Sequence, residues 1–226
     1  MSLINILYIT IMKNICFLTL FFIISFPSVA QVGDTLVDIR DGKIYKTVII
    51  GTQLWMAENL NYACDFGYCY EDKMQNCDIY GRLYKWVGAK QACPSGWHIP
   101  DNSEWKILFD YLGGQKLASG KLKYHSSAYW YDDKFYDDCK ERKPNNQSGF
   151  SAIPAGRYLF GRWEGIFDYN KRTIGYSSFW SHDETNPNVV EFDAMTPISL
   201  PEIRINTLDL KNLIGYAYSI RCIKDK

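Results

Sequence analysis

The sequence predicts a mixed α+β domain in which two helices flank antiparallel sheets, with a long irregular loop region and disulfide staples. Three observations carry this. Residues 84–105 read as two short amphipathic helices with Cys93 at their joint. Alternating or β-branched runs at 43–50 and 214–222 read as strands near opposite ends of the chain. Cys64, Cys69, Cys77, Cys93, Cys139 and Cys222 follow an export-type leader, and an even number there suggests three bridges out of 15 possible pairings.

Residues 1–30 read as a secretory signal peptide. Lys13 precedes an almost wholly apolar run at 15–26, and Pro27-Ser28-Val29-Ala30 supplies a small-residue cleavage site. Met12 is an alternative start that gives the leader an ordinary length. The apolar run is shorter than the roughly 20 residues of a membrane span. Cys16 lacks the small residues that precede a lipid-attachment cysteine. The expectation is an exported chain, secreted or associated with the bacterial cell surface or outer membrane. A short leader at 31–37 then precedes one domain at 38–226. Lys and Arg number 25 and Asp and Glu 25, so no charge excess favours nucleic acid or an anionic membrane surface.

Residues 43–50 form the first strand, Gly51-Thr52 turns it, and 53–56 returns as its hairpin partner. Residues 63–78 are polar, hold three cysteines and read as a loop, and the Cys69–Cys77 ring is small enough to be local. Residues 81–84 read as a short strand or as the entry to the first helix, which is placed at about 85–92 with Trp86, Ala89 and Cys93 on its inner side. Asp101 is the N-cap of the second helix, and Glu104 completes a capping box. Trp105, Leu108, Phe109 and Leu112 make one apolar face, and Gly113-Gly114 ends the helix.

Residues 121–144 show no period and read as irregular surface. Strands follow at 150–152 and about 154–158. Gly161-Arg162-Trp163-Glu164-Gly165 is a hairpin tip, and 174–180 a strand buried on both faces. Residues 189–192 and 202–205 read as an added hairpin. Ile214, Tyr216, Tyr218, Ile220 and Cys222 share one face of a final strand.

The run Asp41 to Leu60 (DGKIYKTVIIGTQLWMAENL) resembles the opening of the Fibrobacter succinogenes major paralogous domain family. So do Tyr80-Gly81-Arg82-Leu83-Tyr84-Lys85-Trp86, Cys93-Pro94-Ser95-Gly96-Trp97-His98-Ile99-Pro100 and Gly149-Phe150-Ser151-Ala152-Ile153-Pro154-Ala155-Gly156. Phe179-Trp180-Ser181 and Ile220-Arg221-Cys222 complete the series in order. The family is similar to the C-type-lectin-like fold, with formylglycine-generating enzymes as distant relatives. That resemblance implies paired terminal strands and an irregular region above the sheet. It also implies a bridge from the first helix to the last strand, here Cys93 to Cys222. Closing that loop of about 130 residues is worth roughly 4–5 kcal/mol in the chain-entropy model. Cys69–Cys77 is the next pair by proximity, and Cys64–Cys139 is left by elimination.

The resemblance, the export signal and the many aromatics point to a non-enzymatic binding or adhesion module for a surface glycan or protein. A structural part of a surface assembly with protein partners is the alternative. Sugar sites offer an aromatic platform with polar groups at its edge. The candidates are Trp130 and Tyr131, Trp163, and Trp180 with His182 and Asp183. No cofactor and no metal site is expected. The tripeptide that lectins use for calcium is absent, and Asp65, Glu71, Asp72 and Asp78 read as a solvated acidic loop. Zinc is disfavoured because no Cys-x-x-Cys occurs and the three histidines do not cluster with the cysteines. The formylglycine-generating relatives use a cysteine pair near the C-terminus, and only Cys222 lies in that third of this chain.

Overall fold

Residues 31–126, 128–130, 143–166, 175–182, 187–193, 203–207, 213 and 215–226 are described by the computed structural model. The signal-peptide segment, Tyr131, Cys139 and Asp183 lie outside these residues, as does the Cys64–Cys139 pairing.

In chain order the strands open with β1 (Gln31–Val32), β2 (Leu36–Val37), β3 (Ile44–Tyr45), β4 (Thr47–Ile50) and β5 (Gln53–Met56), then β6 (Gly67–Tyr68). Helix α1 (Met74–Tyr80), strand β7 (Leu83–Lys85), helix α2 (Trp86–Ala89) and strand β8 (Trp97–His98) follow. Helices α3 (Asn102–Tyr111) and α4 (Gln115–Leu122) precede β9 (Arg157–Leu159), β10 (Arg162–Glu164) and β11 (Tyr176–Ser181). The chain closes through β12 (Asn188–Asp193), β13 (Ile203–Thr207), β14 (Tyr216–Tyr218) and β15 (Ile223–Lys224).

Every strand pairing is antiparallel among the described residues. One five-stranded sheet runs β1-β4-β5-β15-β8, a second β10-β9-β14-β7-β6, a third β11-β12-β13, and β2-β3 forms a ribbon. The leader is bonded into this framework, with Gln31 opposite Ile49 and Leu36 opposite Tyr45. The two ends of the domain meet where Ile223 pairs with Trp55. Between the sheets lies an aromatic core. Trp55, Trp105, Phe150, Phe179 and Phe192 interlock at centroid distances from 4.9 to 6.3 Å, and each is at most 0 % exposed. Such ring pairs add about 0.5–1.5 kcal/mol each beyond area burial.

Helix α3 forms as its cap residues dictate. Asp101 Oδ1 accepts from Glu104 N–H at 2.7 Å, and Glu104 Oε2 accepts from Asp101 N–H at 3.1 Å. The buried face is Trp105, Leu108 and Phe109, with Leu112 as C-cap, and Gly113 and Gly114 follow at φ 96° and 92°.

Helix α2 is a single turn and does not reach residue 92. Past Ala89 the chain tightens into i+3 bonds, Gln91 N–H to Gly88 O and Ala92 N–H to Ala89 O, on its way to Pro94. Arg40 caps the freed carbonyls of Gln91 and Ala92 at 3.4 and 2.7 Å. Residues 63–78 are not wholly loop, since α1 begins at Met74, five residues past Cys69 and inside the cysteine ring. Helix α4 had no counterpart in the sequence reading. Its Ser119 and Gly120 break the pattern of helix formers, yet both are buried.

Trp163 lies on strand β10. The tip is Phe160–Gly161, both at positive φ (46° and 89°), as two-residue hairpins require. Strand β11 is buried on both faces from Ser177 to Trp180, as expected, and β12–β13 form the added hairpin.

The final strand is divided. Tyr216–Tyr218 belongs to the second sheet, Ser219 bridges to Phe179 of the third, and Ile223–Lys224 belongs to the first. Two disulfides hold the ends of these elements, Cys69–Cys77 and Cys93–Cys222, spanning 8 and 129 positions. Cys64 has no disulfide partner among the described residues.

His98 latches the chain end to α3. Its Nε2 meets Glu104 Oε2 at 2.9 Å, and its Nδ1 meets Asp225 Oδ1 at 2.6 Å. Burial alone would lower its pKa, but the hydrogen bonds to Asp225 and Glu104 raise it above the ordinary 6.5. A raised folded-state value means that the latch contributes fully below pH 6.5 and is lost as pH climbs through the higher folded pKa. Urea midpoints measured from pH 5.5 to 8.5 should therefore fall more steeply for the wild type than for His98→Asn. Parallel profiles would refute the latch.

Candidate ligand-binding cleft

A cleft of about 790 Å³ opens between the β3–β4 region and residues 124–153. Its walls come from elements distant in sequence. Tyr80 ends α1, where Asn59 Nδ2 donates to its carbonyl at 2.8 Å. Tyr124 follows α4 and is held by its N–H donating to Ala152 O at 2.9 Å. Tyr129 sits on a turn in which Ser126 Oγ accepts from Ala128 N–H at 3.2 Å. The rings of Tyr124 and Tyr129 meet edge to face at 6.0 Å, and Tyr124 is 43 % exposed. Burial, with Tyr129 nearby, pushes the Tyr80 phenol above its ordinary pKa, so it presents a neutral hydroxyl at neutral pH.

Polar groups sit beside the rings. Asn61 lines the cleft, and its buried Oδ1 has no hydrogen-bond partner among the described residues. Its N–H donates to Tyr45 Oη at 3.1 Å, which fixes the backbone there. Lys46 and Glu58 face each other across 3.8 Å at the rim. The hydroxyls of Ser126 and Ser151 are held by backbone and amide groups.

Arg221 forms the floor and is 1 % exposed. Its Nε donates to Asn59 Oδ1 at 2.7 Å and its Nη2 to Ser151 O at 3.0 Å. Its Nη1 donates to Met56 O at 3.3 Å and to Phe150 O. The guanidinium lies 4.6 Å from the Phe150 ring centre. Burial pushes its pKa down to about 9, against the pull of Glu58, so it remains a cation at neutral pH.

The residues nominated from sequence are not gathered at this cleft. Trp180 is fully buried against Trp86 and Tyr218, and its Nε1 donates to Tyr84 O at 2.6 Å. Trp130 is also fully buried, with Lys123 Nζ 5.0 Å from its ring centre. Neither offers a face to a ligand in this structure, because the apolar interior takes the largest rings first. His182 is exposed and lies 5.9 Å from the Trp86 ring, outside the cleft. Trp163 is half-buried between Tyr158 and Tyr70. Among the acidic loop residues, Glu71 pairs with Lys73 at 2.6 Å. Among the described residues no group of three His, Cys, Asp or Glu side chains could hold a metal ion.

The model of the Fibrobacter succinogenes major domain family matches residues 48–224. The chain belongs to the Fibrobacter succinogenes major domain family. No curated protein and no solved structure matches it. The major domain so defined opens in β4 and closes in β15, so it includes Tyr80, Tyr124, Tyr129 and Arg221. The sequence reading missed all four as site residues. The tyrosines of this major domain carry no periodic signal, and Arg221 hides at a polar position of an alternating run. Its place in the Ile220-Arg221-Cys222 motif was the available clue.

Proposed function

We propose that this chain is an exported, non-enzymatic binding module whose cleft holds a polysaccharide segment. The observation that carries this is the convergence of Tyr80, Tyr124 and Tyr129 on one open cleft beside Asn61 Oδ1, which has no hydrogen-bond partner among the described residues. Aromatic faces take the C–H faces of sugar rings, and amide and hydroxyl groups take their hydroxyls. The C-type-lectin-like reading of the fold is supported by the Cys93–Cys222 bridge and by the pairing of the first hairpin with the last strand. Export is supported by the disulfides and by the Lys13-to-Ala30 pattern. Among the described residues no helix is long and apolar enough to cross a membrane. The non-enzymatic reading draws support from Cys222, whose sulfur is bonded to Cys93 and fully buried.

Retention on insoluble cellulose, xylan and mucin, with and without EDTA, tests the proposal. At least one glycan should retain the chain regardless of EDTA. Tyr124→Ala and Tyr129→Ala should each weaken retention by about tenfold, roughly 1.4 kcal/mol. Absence of retention on every glycan would instead favour a structural surface component with protein partners. Retention that EDTA abolishes would overturn the metal-free reading.

A further inference from the structure

We propose that a second, smaller pocket, built on Trp163, takes a single pyranose unit. The cavity is about 100 Å³ and is lined by Tyr68, Asp72, Lys85, Tyr158 and Trp163. It shares no lining residue with the cleft. The proposal rests on the glycan reading for its place in the function, but on none of the cleft's residues.

Sheet register builds the floor. Trp163 pairs with Tyr158, Tyr158 with Ala217, and Ala217 with Lys85, a single row across β10, β9, β14 and β7. Directly paired residues point to the same face of a sheet. Ala217, between Tyr158 and Lys85, is fully buried, so the pocket is walled by those two flanking side chains. Tyr68 is opposite Leu83, two residues before Lys85, and so faces the same way. Tyr70 packs over Leu83 and Ala217 and stands 5.5 Å from Trp163, which backs the indole. The Trp163 and Tyr158 rings meet edge to face at 4.8 Å.

Asp72 reaches the pocket from the Cys69–Cys77 ring. Glu71 and Asp72 both sit at positive φ (53° and 55°), and Asp72 N–H donates to Cys69 O at 2.9 Å. Two consecutive non-glycine residues in the left-handed region are a sparsely populated backbone that clusters at binding sites.

The lining fixes the ligand chemistry. Three aromatic rings ask for a C–H or cationic face. Lys85 Nζ already stands 5.4 Å from the Tyr68 ring centre and repels a second cation. Asp72 likewise repels an anion. A carboxylate and an ammonium on one small cavity together match a vicinal diol, in which one hydroxyl donates to Asp72 and its neighbour accepts from Lys85. A sugar ring offers that diol edge-on while its C–H face lies on Trp163.

The test uses the full disulfide-bonded chain, tryptophan indole N–H resonances and the methyl glycosides of glucose, galactose, mannose, xylose and N-acetylglucosamine. At least one glycoside should shift the Trp163 signal saturably. Followed by calorimetric titration with that glycoside, since the variants at 163 lack the indole signal, Trp163→Ala should abolish binding, and Asp72→Asn and Lys85→Met should each weaken it at least tenfold. Trp163→Tyr should retain part of it, which separates ring stacking from loss of the fold. Tyr129→Ala should leave this binding unchanged while weakening polysaccharide retention. If no glycoside moves Trp163 while polysaccharide retention persists, the pocket proposal is wrong and the cleft stands. A shift produced by glycine betaine or a free amino acid, and by no glycoside, would overturn the ligand class.

Discussion

Replacing Arg221 with methionine is expected to lower the stability of the domain by about 3–5 kcal/mol, because several buried acceptors lose their donor at once. The loss does not come from the positive charge, whose burial is itself unfavourable. It comes from Asn59 Oδ1 and the carbonyls of Met56, Phe150 and Ser151, which converge on the guanidinium from two distant parts of the chain. Each buried acceptor left without a donor costs about 1–3 kcal/mol. None of the direct partners is a carboxylate, so the site holds Arg221 by its fork of donors. Arg221→Lys should therefore recover little, because an ammonium cannot direct donors to acceptors spread around a plane. Equilibrium urea unfolding of the three proteins at neutral pH measures this. A methionine variant within 1 kcal/mol of the wild type would refute the account.

The second large effect is expected at Cys93–Cys222. The bridge spans 129 positions and joins the chain just after α2 to the residue before β15. In the chain-entropy model a loop of this size restricts the unfolded chain by roughly 4–5 kcal/mol. The double variant Cys93→Ala, Cys222→Ala should lose that amount in urea unfolding. The Cys69–Cys77 ring, with a separation of 8, should contribute less under the same logarithmic dependence. A reversed ranking of the two bridges would show that strain or residual structure in the unfolded chain dominates.

Local signals were legible where backbone chemistry is decisive. The Asp101–Glu104 capping box, the Trp105-Leu108-Phe109 face and the Gly113-Gly114 stop all stand as read. The first hairpin registers Thr47 on Met56 and Ile50 on Gln53, as its turn dictates. Nonlocal signals were not. Whether a tryptophan packs or faces solvent depends on which sheet covers it, so Trp180 and Trp163 looked alike in sequence. The α1 helix was hidden by a composition, Met-Gln-Asn-Cys-Asp-Ile-Tyr, with few strong helix formers, and it is held by the Cys69–Cys77 bridge and by Asn59 at its end. The cleft was illegible for the same reason, because Tyr124 is placed at the opening only by the pairing of Lys123 with Ala152, far along the chain.

The divided final strand sets the order in which this protein can be assembled. Both five-stranded sheets have an internal position filled only by residues 216–224, β14 in one and β15 in the other. A chain emerging vectorially during synthesis has neither sheet complete until that segment appears. Its first hairpin must wait for a partner more than 160 residues downstream, at Ile223 opposite Trp55. Such nonlocal closure makes folding slower than in a fold built from local contacts. The nascent chain therefore stays unfolded through most of its synthesis, and folding begins in earnest only when the last strand is free to pair.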